Sequence, residues 1–235
     1  LRASMANAEV YREVGAREVA RALAGVLDEL GWDRVYLHGG SWGSTLALLF
    51  AQMFPERVTG MVIRGIFLSS VAELEDMVDP KPAYQTDNKR AARAQLTDFM
   101  RKRGFSGSDT SARDVFDWYL HYLCSAPLPE RDLAAFNWWV HERFFMDECE
   151  PGFCFSAEEV AGHPNLPEAR SVAFWEVHIM HDMVYSAQPV DLLGDVPKLP
   201  RVPIEIVHGR GDFLCPTTYA EALERALQAH GYDVR

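Results

Sequence analysis

The stretch that decides the fold is Leu37-His38-Gly39-Gly40-Ser41-Trp42-Gly43-Ser44-Thr45-Leu46. It follows Val35 and Tyr36, which favour a strand, and leads into an alanine- and leucine-rich helical pattern. A strand, a Gly-x-Ser-x-Gly turn and a helix, in this order, hold a serine in a strained conformation that exposes its hydroxyl. We call Gly39–Gly43 the serine turn, and we expect both of its outer glycines to be needed because neighbours there must be small. The alternative is a glycine-rich connection with an incidental serine.

Composition and charge describe an acidic globular protein. The 235 residues are 48% hydrophobic and 24% charged, enough to bury a core as one large domain or as a domain with an insertion. The formal net charge of −11 argues against nucleic acid or an anionic membrane as a partner. No apolar run approaches the roughly 18 residues of a membrane span, and no signal-peptide core follows the first residues.

Cysteine usage favours a reducing compartment. Four cysteines in a chain of this length do not suggest a disulfide scaffold. The closest pair, Cys149 and Cys154, could bridge a loop, but the reduced form is favoured. A cytoplasmic location follows as the default expectation.

Strand and helix patterns alternate on both sides of the serine turn. Gly31 is expected to end the first helix, and the strand after the second helix is mostly apolar, as a strand buried on both faces should be. Val234 is the candidate start of a further strand. This alternation predicts βαβ crossovers and a parallel sheet. The predicted elements are helix Val14–Leu30, strand Val35–His38, helix Thr45–Phe54, strand Val58–Gly65, strand Arg201–His208 and helix Thr217–Gln228.

Between Leu68 and Pro200 only helical patterns occur. About 130 residues of helix between two core strands are too many for a loop. We therefore predict an α/β fold whose sheet core comprises 1–67 and 201–235, with a helical cap domain at 68–200; residues 1–13 lack a pattern and are expected to be a mobile lead-in. The predicted cap helices are Asp87–Arg103 with Asp87 as N-cap, Ser111–Cys124, Leu133–Phe145, a capping box at Ser156–Glu159, and Pro167–Met180.

A serine nucleophile requires a base that takes its proton and an acid that orients the base. Asp212 follows a core strand at the edge where open α/β sheets place their sites, which makes it the leading candidate for the acid. A plain turn aspartate and an Arg-Gly-Asp adhesion tripeptide are the alternatives.

The histidine base is expected one helix and one strand after the acid. His230 comes too early and His208 falls inside the acid's own strand. We therefore expect the base beyond Arg235. We also expect further strands outside this sequence at both ends of the core, because two or three strands alone would leave exposed sheet edges. The remaining candidates fall in predicted cap helices: His121, His141, His178 and His181.

The string Gly39–Leu48 is more specific than a bare Gly-x-Ser-x-Gly turn. It resembles the corresponding turn of the prolyl iminopeptidases, which are α/β-hydrolases with a helical cap. The resemblance implies Ser41 as nucleophile, Asp212 as triad acid, the Trp42 N–H as an oxyanion donor and Gly40 at the substrate site. It also implies release of N-terminal proline from peptides through an acyl-enzyme, without metal or other cofactor. Matching segments continue at Pro55–Val58, Ile63–Leu68, Glu176–His178, Val207–Asp212 and Cys215–Pro216.

Recognition of a free, cationic N-terminus calls for carboxylates in an apolar pocket sized for a pyrrolidine ring. Glu176 is the leading candidate, with a solvated helix-face glutamate as the alternative. The family's second acid follows a tryptophan, whereas here no acid directly follows Trp139 and the nearest is Glu142. Glu142 is therefore the candidate second contact. Trp139, with Phe136 and Trp138, lines the pocket or simply fills the core of the cap.

Other functions remain open at this point. An esterase, an amidase or a broader aminopeptidase could use the same frame, and so could a binding protein without a base. Ser41 argues against dehalogenases and epoxide hydrolases, which place an aspartate at this turn. A metal site at His178, His181 and Asp182 is the weakest alternative. The expected partner is a small peptide with a free N-terminal proline; the sequence carries no signal for an oligomeric state.

Overall fold

The computed structural model describes residues 14–79, 86–107, 111–146 and 155–234, without the side chains of residues 144 and 145. The predicted lead-in and the pair Cys149 and Cys154 lie outside these residues. The chain divides into two compact units. We call the described part of 14–73 and 188–235 the sheet unit, and that of 74–187 the helical unit.

Helices and strands follow one another as the alternation predicts. In chain order they are α1 (Ala16–Glu29), β1 (Val35–Ser41), α2 (Trp42–Met53), β2 (Val58–Ile66), α3 (Val71–Val78), α4 (Asp87–Arg101), α5 (Ala112–Ser125), α6 (Leu128–Phe145), α7 (Ala157–Ala161), α8 (Leu166–Tyr185), β3 (Ile204–Val207) and α9 (Thr217–Ala229). Short 3-10 helices span Pro55–Arg57 and Val196–Lys198. Among the described residues from 68 to 200 no strand occurs.

A parallel sheet in the order β1-β2-β3 forms the centre of the sheet unit. The central strand β2 is the apolar run, and Val58, Met61 and Ile63 in it are fully buried. The two crossovers place the carboxyl ends of all three strands at one edge, where a site is expected. Val234, the candidate start of a further strand, forms an isolated parallel bridge with Ile204.

Helix α1 ends as its sequence predicts. Gly31 has φ +67°, a left-handed conformation that glycine adopts without steric cost. The N–H of Trp32 then donates to the Leu27 carbonyl at 2.9 Å. The chain reverses there and enters β1.

Capping decides where the helices of the helical unit begin. The predicted N-cap Asp87 is wrong: the hydroxyl of Thr86 accepts from the Lys89 N–H, and Asp87 is the first helical residue. Both residue types cap well, so propensity alone could not separate these neighbours. Ser111 and Ser156 cap α5 and α7 with complete capping boxes. Helices α6 and α8 extend beyond the predicted ranges, at the start of α6 and at the end of α8.

Aromatic side chains form the core of the helical unit. Trp138 is 1% exposed and packs edge-on against the rings of Phe116 and Tyr119, with centroid distances of 5.3 and 5.1 Å. Phe136 and Trp139 belong to a second buried cluster between α4, α6 and α8. No helix in the described ranges is long and apolar enough to cross a membrane.

Candidate active site

Ser41 is the last residue of β1 and has φ 55° and ψ −129°. A non-glycine residue in such a conformation stores roughly 1–3 kcal/mol of strain, so neighbouring contacts must hold it there. The hydroxyl of Ser44 donates to the Ser41 carbonyl at 2.6 Å and accepts from the Phe67 N–H at 3.0 Å. The hydroxyl of Thr45 donates to the Phe67 carbonyl. These bonds fix the serine turn to the chain that leaves β2.

The outer glycines of the serine turn are not equivalent. A Cβ at Gly39 would lie 2.1 Å from the Gly43 carbonyl oxygen, an impossible contact, so Gly39 is required. A Cβ at Gly43 would meet no described atom within 4 Å. The expectation that both must be small for steric reasons is therefore wrong for Gly43. At Gly40 a Cβ would lie 2.8 Å from Cζ of Arg64, whose side chain occupies that space.

Trp42 begins α2 directly after the serine. Its backbone N–H is one of the first of the helix, which have no acceptor within the helix, and it lies at the positive end of the helix dipole. A developing oxyanion on a group attached to Ser41 would find such a donor favourable.

Asp212 is oriented by its own turn. Its Oδ1 accepts from the N–H groups of Leu214 and Cys215 at 3.0 and 2.8 Å. We call Gly209–Cys215 the acid turn. A Cβ placed on Gly65 would lie 3.7 Å from the Ser41 nitrogen and 3.9 Å from Asp212 Oδ2. The structure thus brings the two predicted catalytic residues to the same place at the carboxyl edge of the sheet.

Cys215 is a neighbour that sequence reasoning did not assign. Burial raises the pKa of its thiol to about 12, with smaller contributions from the negative charges of Asp212 and Glu73. A hydrogen bond with the Ser41 side chain acts to lower this pKa. A thiol kept protonated in this way is a poor nucleophile. Its only sequence signal was the Cys-Pro pair of the family resemblance.

The two histidines that follow β3 are both engaged elsewhere. His208 Nδ1 accepts from the Ile66 N–H at 3.1 Å and Nε2 donates to the Cys215 carbonyl at 2.7 Å. His230 caps the end of α9 and places Nδ1 2.8 Å from the Ala226 carbonyl. Neither ring is available to take a proton from Ser41.

Histidines of the helical unit have packing or ion-pair roles. His178 stacks on Phe174 with ring centroids 5.8 Å apart, and His181 Nε2 lies 2.6 Å from an Asp117 carboxylate oxygen. Burial lowers the pKa of His141 to about 4. In the described part of the chain no group of three or more histidine, cysteine or acidic side chains is arranged to hold a metal ion.

The two predicted amine-binding acids come together within the helical unit. Glu176 lies on α8, and its Oε2 accepts from the indole N–H of Trp138 at 2.7 Å. Burial raises the pKa of Glu176 to about 8, and the negative charge of Glu142 contributes. Glu142 lies one helical turn after Trp138 on α6, so both face the same side. Trp139 is 7% exposed and packs under the guanidinium of Arg143, 4.3 Å from the ring centroid.

Comparison with known proteins agrees with this architecture. Residues 6–144 match the family model of the alpha/beta hydrolase fold, and the chain therefore belongs to the α/β-hydrolase family. This confirms the fold class predicted from the sequence.

Proline iminopeptidases are among the relatives of the chain, which confirms the predicted resemblance. The one from Neisseria gonorrhoeae is 54% identical over 205 residues, covering 86% of this chain and 59% of that protein. The one from Xylella fastidiosa strain Temecula1 is 31% identical over 201 residues, covering 84% and 58%. The chain thus spans less than two thirds of the length of these relatives. Among solved structures, the α/β hydrolase MGS-M2 from a deep-sea metagenome library aligns with a TM-score of 0.43 and 17% identity over 94% of this chain and 62% of that one.

Alanine substitutions at the two outer glycines of the serine turn should have opposite effects. Gly39→Ala forces a backbone contact and should lower the free energy of unfolding by at least about 2 kcal/mol. Gly43→Ala lies in the first turn of α2 without a clash and should stabilise by up to about 1 kcal/mol. Urea unfolding of the two variants beside the parent measures both values. Equal effects at the two positions would contradict the geometry of the turn.

Glu176→Gln should stabilise the protein at alkaline pH. Folding raises the pKa of Glu176 from its ordinary value of 4.5 to about 8, so the folded protein retains a proton that the unfolded chain loses. Stability contributed by this proton is therefore lost as the pH rises through that window. The variant should gain on the order of 5 kcal/mol over the parent at pH 9 and little at pH 4.5.

Urea unfolding at both pH values tests this expectation. Glu168→Gln, an exposed position on the same helix, is the matched control and should follow the parent. A gain for Glu176→Gln that is the same at pH 4.5 and pH 9 would show that the carboxyl is not held in its protonated form.

Proposed function

We propose that the protein is a serine exopeptidase of the prolyl iminopeptidase type, which releases N-terminal proline from peptides. The observation that carries the proposal is the strained Ser41 at the end of β1, whose backbone nitrogen and Asp212 Oδ2 both lie within 4 Å of the Cβ position of Gly65. The similarity to curated proline iminopeptidases supports the substrate class. A cytoplasmic location, a small peptide as partner and the absence of a cofactor belong to the same proposal.

The chemistry is acyl transfer. The Ser41 hydroxyl attacks the carbonyl carbon of the N-terminal proline while a histidine takes its proton. The oxyanion accepts from the Trp42 N–H, and the C–N bond then breaks as the histidine returns the proton to the leaving amine. Water hydrolyses the prolyl ester and frees proline. Since His208 and His230 are engaged elsewhere, the proposal places the base outside residues 14–234.

Recognition of the substrate amine is assigned to Glu176 and Glu142. Burial and the charge of Glu142 raise the pKa of Glu176, so the two carboxyl groups lie close together, and a secondary ammonium group can donate a charge-assisted hydrogen bond to each. No acid directly follows Trp139, yet the negative charge of Glu142, three residues on, contributes to the raised pKa of Glu176. This supports Glu142 as the second contact. The roles of Gly40 and Trp139 at the substrate stay predictions.

Hydrolysis of proline arylamide, beside its N-blocked analogue, tests the proposed reaction. The protein at its natural full length should release arylamine from the free-amine substrate only. Ser41→Ala should reduce kcat on the order of 10⁴-fold or more, because the nucleophile is lost. Equal turnover of both substrates would indicate an esterase or amidase instead, and turnover of neither would indicate a binding protein built on the same frame.

Glu142→Gln should weaken amine recognition specifically. Loss of one charge-assisted hydrogen bond should raise KM for proline arylamide by about 10-fold or more while changing turnover of a neutral ester little. Glu168→Gln serves as the control for a charge lost elsewhere in the helical unit. Unchanged KM in Glu142→Gln would remove this residue from the substrate site.

A further inference from the structure

His208 connects two parts of the sheet unit that both border the candidate catalytic residues. It follows β3 directly, and its side chain is only 8% exposed. Nδ1 accepts from the Ile66 N–H at 3.1 Å, at the end of β2, and Nε2 donates to the Cys215 carbonyl at 2.7 Å, at the end of the acid turn. The bond between Ile66 and the ring spans 142 residues of sequence.

Both ends of this bridge lie beside the reacting groups. Ile66 follows Gly65, and the Ser41 nitrogen and Asp212 Oδ2 both lie within 4 Å of the Cβ position of Gly65. Cys215, whose carbonyl the ring holds, donates its own N–H to Asp212 Oδ1. A shift of the ring would thus move Cys215, whose N–H orients Asp212, relative to Ile66 at the end of β2.

The partners of the ring also fix its protonation. The Ile66 amide can only donate and the Cys215 carbonyl can only accept, so the two bonds fit the tautomer with its hydrogen on Nε2. An imidazolium could not accept from Ile66. Asp212 Oδ2 lies 3.8 Å from Nε2, which is beyond hydrogen-bond distance. The hydrogen bond of Nε2 is made to the Cys215 carbonyl at 2.7 Å rather than to Asp212 Oδ2.

We propose that His208 is a positioning residue of the candidate active site, which ties the acid turn to the end of β2 and holds Asp212 in the orientation that a catalytic histidine requires. It touches neither the substrate nor the reacting atoms. The inference rests on the proposed function for its effect on turnover, but the bridge itself does not depend on which substrate is cleaved.

Three substitutions separate the two bonds of the ring. His208→Phe keeps the volume and removes both bonds. His208→Gln places an amide donor near the position of Nε2 and can restore the bond to Cys215, whereas His208→Asn places an acceptor near Nδ1 and can restore only the bond from Ile66. His230→Phe, an exposed histidine of the same unit, is the matched control.

The variants are measured at natural full length, by kcat and KM for proline arylamide and by hydrogen exchange of peptides covering 64–68 and 209–216. We expect His208→Phe to lower kcat by about tenfold or more with KM within about twofold, because misplacement of a catalytic group affects the chemical step rather than amine recognition. Exchange in the acid turn should accelerate at least about tenfold. His208→Gln should recover most of kcat and of the protection at 209–216, His208→Asn less, and His230→Phe should match the parent.

Unchanged kcat or unchanged exchange at 209–216 in His208→Phe would overturn the proposal. A loss of kcat that His208→Gln does not recover would also overturn it, because a general structural role would not follow the donor. If the parent protein fails to cleave proline arylamide, the proposed function fails, whereas exchange at 209–216 still decides whether His208 holds the acid turn.

Discussion

The geometry of the sheet unit depends on one buried hydroxyl. Ser44 is inaccessible to solvent and bonds to the carbonyl of the strained Ser41 and to the N–H of Phe67, the residue that follows β2. A serine with positive φ at the end of a strand would otherwise relax, since its strain is comparable with a sizeable part of the stability of a domain. The strain of the exposed Ser41 is thus offset by a contact between two strand ends. Because β2 is the central strand, that contact is made to the best-packed part of the sheet.

The sequence predicted the features that depend on local pattern. The strand, turn and helix around Ser41, the apolar strand β2 and the glycine that ends α1 all follow from periodicity and from residues with one conformational use. The N-cap prediction was wrong because Thr86 and Asp87 have similar capping propensity. The steric requirement for a small residue on both sides of Ser41 was wrong for Gly43, where a Cβ would have space. These outcomes depend on atomic packing, which a pattern of residue types does not contain.

The candidate site could be predicted only in part, for a similar reason. Ser41 and Asp212 were found from motif and position, and their convergence at Gly65 is a property of the folded sheet. Cys215 and His208 lie in segments that match the family, but those segments do not tell which atoms the two side chains contact. Their importance arises from contacts between residues far apart in the chain, such as that of His208 with Ile66. Likewise, the interaction of Glu142 with Glu176 joins two helices whose facing sides the sequence alone does not fix.

The elevated pKa of Glu176 lowers the negative charge of the pair that it forms with Glu142. At neutral pH its carboxyl retains a proton, so that Glu142 and Glu176 together carry about one negative charge instead of two. In the proposed function a cationic amine binds this pair. A proton on Glu176 and the substrate amine then compete for the same carboxylate. The proton allows the helical unit to bury Glu176 beside Glu142 without two uncompensated negative charges. Binding of the amine would then replace the proton on Glu176 with the ammonium group of the substrate.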